Sequence, residues 1–154
     1  TIRFTSLDPY RIKITGRTRH YINVFGEEVN IENAEDALKL ACKKTNATII
    51  DYTVGPIFMK GKKSGGHEWV IEFNKAPENM NYFTELLDNA LKSINSDYEA
   101  KRYNNITLNM PKVHVAQKGL FHKWMKKNNK LGGQHKVPRL SNYRQFLEKL
   151  LELN

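Results

Sequence analysis

Two hydrophobic periods succeed one another along the chain. "YRIKIT" (10–15) alternates apolar and polar residues, the period of a half-buried strand, and "RHYINVF" (19–25) is a second extended run ended by Gly26. From Ile31 the spacing changes, and Ile31, Ala34, Ala37, Leu38, Ala41 and Cys42 recur as on one helix face. Asn30 stands where a cap belongs, with acids early and lysines late, as the helix dipole prefers. "ATIIDYTVGPIFM" (47–59) and "HEWVIEF" (67–73) flank the turn "GKKSGG" and predict a hairpin, with a bulge or sheet edge at Gly55–Pro56. "PENMNYFTELLDNALKSIN" (77–95) predicts a second amphipathic helix, with Met80, Phe83, Leu86, Leu87, Ala90, Leu91 and Ile94 inward. A helical turn within 96–105, a strand at 112–117, a helix at 119–128 and a closing helix at 141–153 capped by Ser141 complete the series.

From residue 19 the order is strand, helix, strand, strand, helix, strand. That order predicts an α+β fold: a ferredoxin-like split βαβ core with a short preceding β-strand and two C-terminal helices. A length of 154 residues suits one domain with a real core. The architecture serves many unrelated activities, so chemistry must be sought elsewhere.

Charge changes the picture because it is unevenly placed. The chain carries 25 Lys and Arg against 16 Asp and Glu. Nine of those cations, from Lys112 to Arg144, fall in a stretch without an acid, and the remaining sixteen balance the acids. Such a stretch concentrates anions around it. Lys123, Lys126, Lys127 and Lys130 read as a solvated helix face. Lys136 and Arg139 differ: they sit in "GGQHKVPRL" (132–140), where two glycines and a proline make a shaped loop, and a loop of that kind points to a ligand. The five histidines and the single Cys42 show no metal-ligand spacing. A lone cysteine leads to the expectation of a reducing, cytoplasmic compartment, and no apolar run reaches the length of a membrane span. The opening "TIRFTS", strand-like and without Met, leads to the expectation of a fragment of a longer chain.

"ITGRTRHYINVFGEEVNIENAEDAL" resembles the segment that opens the small C-terminal domain of the adenylate-forming superfamily of acyl-CoA synthetases, luciferase and peptide-synthetase adenylation domains. Gly16-Arg17, Ile22-Asn23-Val24, Gly26 and the helix from Ile31 fall in register with its pattern. "GGQHKVPRL" is similar to the late loop of that superfamily, whose lysine reaches the reacting carboxylate and phosphate. Together the two motifs most resemble the auxin-responsive promoter family of acyl acid–amido synthetases, in particular its bacterial members, over essentially the whole chain.

The resemblance implies a two-domain, ATP-dependent ligase that forms an acyl-adenylate and passes the acyl group to an amino acid amine. Residues 1–154 would be its small C-terminal domain, with 1–18 leading into a hinge near Arg19, where the superfamily usually has Asp or Lys. By the same resemblance Lys136 is catalytic, Arg17 bonds the ribose hydroxyls, and Asn23, Gly26 and Glu27 line the site of the second step. Gln134 and Arg139 are candidate anion contacts. ATP and Mg²⁺ would be held mainly by the N-terminal large domain, the partner of this one, so the isolated chain is expected to be inactive. Physical logic supports a lysine at this point: adenylation brings a carboxylate onto a phosphate, and a positive charge there offsets the repulsion.

Bland readings stand beside these. Arg17 as a salt-bridge partner, Lys136 as a surface lysine, and Glu27 and Glu28 as strand-end surface acids are the structural alternatives. Two other functions remain open: an acyl-CoA ligase with a thiol acceptor, and a basic ferredoxin-like nucleic-acid-binding module. The strands lack the aromatic–basic signature of an RNA-recognition sheet, which weighs against the second.

Overall fold

The computed structural model describes residues 2–14, 21–132 and 136–154. Arg17, Arg19 and Gln134 lie outside those residues. The described chain is an α+β domain with three small sheets and five α-helices. Strands β1 (Ile2–Leu7) and β2 (Tyr10–Ile14) form an antiparallel hairpin, and β3 (Tyr21–Ile22) and β4 (Val29–Asn30) form another of two residues each. Helix α1 (Ile31–Thr45) follows, then the long hairpin of β5 (Thr48–Ile57) and β6 (Gly66–Lys75). Helices α2 (Met80–Ile94) and α3 (Ser96–Arg102) lead through one 3₁₀ turn to β7 (Lys112–Val115), which pairs parallel with β6. Helices α4 (Leu120–Lys127) and α5 (Gln145–Leu151) close the domain.

Local chemistry explains most boundaries. The Asn30 side chain accepts from Asn33 N–H while the Asn33 side chain accepts from Asn30 N–H, a reciprocal cap that starts α1. Asn79 and Asn95 cap α2 and α3 in the simpler way. Helix α4 begins at Gly119, which has no side chain to offer. Its cap comes from β6: the Glu72 carboxylate accepts Gly119 N–H at 2.6 Å and Phe121 N–H at 3.3 Å. A carboxylate at a helix N-terminus also meets the favourable end of the dipole.

Strand β6 is the centre of the domain. Trp69, Ile71 and Phe73 enter a core with Phe83, Leu87 and Leu91 of α2 and the alanine face of α1. Val70 enters a second core, on the other face, with Leu120, Phe121 and Trp124 of α4 and Leu147 and Leu150 of α5. Helices thus cover both faces of the β5–β6–β7 sheet.

Local expectations change in three places. Among the described strands, β7 lies directly beside β6, and the strand expected over 19–25 pairs only with β4. It stops at Ile22 because the next residues fold around a buried carboxylate, described below. Strand β2 is paired but not half-buried; Tyr10 and Ile12 are exposed, and among the described residues β1 is its one strand partner. The closing helix starts at Gln145 rather than beside Ser141, whose N–H bonds to Val54 C=O and whose hydroxyl accepts Tyr143 N–H at 3.0 Å. The irregular pairing of β5 falls between Thr48 and Asp51, while Gly55 makes room for Leu147 of α5.

Removing the Glu72 cap leaves one buried and one partly buried N–H group at α4 unpaired. Glu72→Ala is expected to cost about 2 kcal/mol, within the range for orphaned buried donors, and Glu72→Gln less, because one acceptor oxygen survives. Urea unfolding followed by circular dichroism checks this; unchanged midpoints would show that α4 needs no cap from β6.

Candidate functional site

The loop that carries the candidate catalytic lysine is fixed at its C-terminal end. Val54 N–H donates to Arg139 C=O at 2.8 Å, Ser141 N–H donates to Val54 C=O at 3.1 Å, and the Thr53 hydroxyl donates to Pro138 C=O at 2.6 Å. Residues 138–141 therefore run parallel along the outer edge of β5, with Leu140 buried against it. Pro138, which has no N–H to satisfy, suits such an edge. Lys136 precedes this clamp by two residues. It is exposed and has no ion pair or hydrogen bond with any described residue.

Arg139 is placed differently. Its guanidinium pairs with Glu35 of α1, stands 3.9 Å from Asp51, and lies over the Tyr52 ring at 5.2 Å. Its charge is matched inside the domain. Burial pushes the Asp51 carboxyl up, against the lowering effects of Tyr52 N–H and Arg139, and burial likewise raises the Tyr52 phenol. These groups line an open groove of about 420 Å³ between α1 and β5, with Leu38, Cys42 and Ile49 on its apolar side.

Asn23, Gly26 and Glu27 come together in one loop. Gly26 has φ +83° and Glu28 φ +43°, left-handed conformations that turn the chain sharply. Inside the turn, the Glu27 carboxylate is 0% exposed. It accepts Phe25 N–H at 2.7 Å and Val24 N–H at 3.3 Å, and meets His67 Nε2 at 2.9 Å. Burial pushes this carboxyl up, but the hydrogen bond and charge of His67 and the backbone N–H groups outweigh it and hold the group below its ordinary value. The reading of Glu27 as a surface acid is therefore corrected, whereas Glu28 is exposed. Asn23 N–H donates to Asn142 Oδ1 at 2.8 Å, tying the loop to the stretch that follows the lysine loop. Phe25 packs against Gly65, where a Cβ would fall 2.3 Å from Cζ of its ring.

The basic stretch from Lys112 to Arg144 resolves into two populations. Lys112, Arg139 and Arg144 pair with carboxylates, and Lys130 lies over the Trp124 ring at 5.0 Å. Lys118, Lys123, Lys126, Lys127 and Lys136 are exposed and unpaired among the described residues. The partner of Lys112 and Arg144 is Glu68, buried on β6 and also 2.7 Å from His114. Sequence reasoning missed this cluster and the Glu27–His67 pair. The available signal was "HEWVIEF", in which His67 shares one face with Trp69 while Glu68 and Glu72 share the other with Val70. Charged residues inside a strand buried on both faces must have partners. Among the described residues, no group of three or more His, Cys, Asp or Glu converges as a metal site would.

A mixed sheet with helices on both faces, a clamped lysine loop and a carboxylate-centred turn together define the kind of domain this is. Residues 32–145 match the GH3 family C-terminal domain, and the chain belongs to that family. No curated protein matches it. Among solved structures it is similar to GH3.15 acyl acid amido synthetase, at 17% identity with a TM-score of 0.74 over 99% of this chain and 29% of that one. It is similar as well to AtGH3.15 acyl acid amido synthetase in complex with 2,4-DB, at 15% identity with a TM-score of 0.75 over 98% of this chain and 29% of that one. At these identities the likeness is one of fold, and this chain spans 29% of the length of those structures. The expected family is met. The bacterial subtype is not part of what the matches show.

The Glu68 cluster makes stability depend on pH. Burial pushes the carboxyl up, but hydrogen bonds to His114, Arg144 and Lys112 outweigh it and hold the group at about 2, below an ordinary 4.5. A depressed folded value stabilises above pH 4.5, and that contribution is lost as the pH falls through about 2. The full difference corresponds to at most about 3 kcal/mol, reduced by solvent around the exposed Lys112 ammonium. Denaturant melts from pH 7 to 2 should lose more stability in the native chain than in Glu68→Gln; parallel curves would remove the cluster from the acid response.

Proposed function

We propose that this chain is the mobile C-terminal domain of an ATP-dependent acyl-adenylate-forming ligase that joins a carboxylic acid to an amino acid amine. The family match over residues 32–145 carries the reading, and the names of the two matched structures, both acyl acid amido synthetases, support it. The rest of the enzyme would be an N-terminal large domain that holds ATP with Mg²⁺ and forms the acid-binding pocket. The exposed apolar face of the β1–β2 hairpin, with Phe4 and Ile12 opposite one another, suits contact with such a body, since a lone two-stranded ribbon is marginal in water.

In this reading the carboxylate oxygen attacks the α-phosphorus, a P–O bond forms, and pyrophosphate leaves with the electron pair of the bond that breaks. Lys136 acts here: an unpaired ammonium on a flexible stem, beside a clamp, meets the charge that two anions build in the transition state. Arg17 holds the ribose, Gln134 is an anion contact, and Arg139 becomes one if Glu35 releases it. The domain then turns about Arg19, and the main chain of the turn that carries Asn23, Gly26 and Glu27 faces the acyl-adenylate. The amine nitrogen forms the C–N bond, AMP departs with the C–O electron pair, and the amine proton passes to solvent. The ferredoxin-like description of the core belongs to this same family-level reading.

Lys136→Ala in the full-length enzyme should slow acyl-AMP formation by about two to three orders of magnitude, roughly 3 to 4 kcal/mol. Amine transfer from preformed acyl-AMP should stay near the native rate, and Lys136→Arg should rescue poorly, because a planar fork does not replace a point charge. Single-turnover assays of the two steps decide the matter. A common fall in both makes Lys136 structural, and no fall in either makes the loop an ordinary basic turn. The isolated 154-residue chain should release no pyrophosphate from ATP with Mg²⁺ and a panel of carboxylic acids.

A further inference from the structure

The pair beneath the Asn23–Glu28 loop extends the reading of the second-step site, on which this inference rests. Residues 23–28 have almost no regular structure to shape them, since β3 and β4 contribute two residues each. Gly26 and Glu28 adopt left-handed φ, and the ends of the turn are tied by Asn23 N–H to Asn142 Oδ1 and by Glu28 N–H to Asn23 Oδ1. Its centre is held by one carboxylate. Three donors converge on Glu27: Val24 N–H, Phe25 N–H and His67 Nε2.

His67 comes from the middle of the protein. It sits on β6 opposite Pro56, is 1% exposed, and packs against the Tyr98 ring with centroids 5.5 Å apart and planes tilted by 41°, the Tyr98 hydroxyl donating to Asp88. Its Nδ1 is buried without a hydrogen-bond partner among the described residues. A carboxylate at 2.9 Å from Nε2 requires that nitrogen to carry a proton, aimed at Glu27. The outer side of the same turn is different: Gly26 is exposed, and the nearest side chain to its missing Cβ is the flexible end of Lys101. One face of the loop is locked from within, and the other is open.

We propose that Glu27 and His67 are positioning residues of the transfer step. They touch neither substrate. From beneath, they hold the main chain of residues 24–26 in the shape that meets the acyl-adenylate and the amine. Adenylation, served by the lysine loop on the β5 edge, does not depend on them.

The test uses the full-length enzyme and three variants. His67→Leu removes the donor, His67→Gln keeps an amide N–H near the Nε2 position, and Glu27→Gln keeps one acceptor but turns a second N–H group against Nε2–H. Acyl-AMP formation is read by ATP–pyrophosphate exchange with a panel of carboxylic acids. Transfer is read by amide formation from chemically prepared acyl-AMP with the twenty amino acids, and melting temperatures are measured alongside. His67→Leu should lower transfer by about a hundredfold, the cost of misplacing a reacting geometry by ~1 Å, with exchange near the native rate. His67→Gln should recover most of the transfer rate. Should His67→Leu fail to fold, Glu27→Gln must show the same split between the steps. Equal loss of both steps in proportion to a lowered melting temperature overturns the proposal, as does native transfer in Glu27→Gln. Absence of exchange by the unsubstituted enzyme overturns the ligase reading itself, and this inference with it; exchange intact with no split overturns the inference alone.

Discussion

Residues 66–73 of strand β6 have no solvent face, and each ionisable side chain among them must find its partner inside the domain. That constraint organises three separate segments. His67 reaches Glu27 and shapes the turn after β3; Glu68 gathers Arg144, at the start of α5, together with His114 and Lys112; Glu72 supplies the cap that α4 lacks. Removing any of these partners would strand a buried polar group at a cost of about 1–3 kcal/mol. The flanking elements are therefore held by polar anchors as well as by the apolar cores on either side.

The sequence made the helices legible and the turns less so. Periodicity located α1, α2 and α4 because an apolar stripe and a cap are local facts, visible within a dozen residues. The start of α5 was misplaced because Ser141 looks like a cap, whereas its N–H is drawn to Val54, far away in sequence. The strand expected over 19–25 ended early for a similar reason: its residues beyond Ile22 wrap a carboxylate that reads in sequence as a surface acid. In each case a long-range polar contact overrode a sound local pattern.

The same limit governed the charges. Nine cations in a stretch without acids concentrate anions, and the sequence singles out Lys136 and Arg139 among them as ligand contacts. The structure divides them, matching some with Glu35 and Glu68 from other parts of the chain and leaving Lys136 exposed and without a partner among the described residues. Composition measures the excess but is silent on who neutralises whom. Of the candidate site, the lysine loop and the Gly26 turn were legible as motifs, while His67 was not, because only the fold brings it under residue 27.

The clamp on residues 138–141 sets a length scale. Main chain beyond a fixed point extends ~3.3–3.6 Å per residue, so two residues upstream of Pro138 give Lys136 a leash of about 7 Å. The ammonium adds its own stem to that. On the ligase reading proposed above, so short a tether would require the whole sheet to approach to within roughly the span of one extended lysine, and reach would be a property of domain approach rather than of loop length.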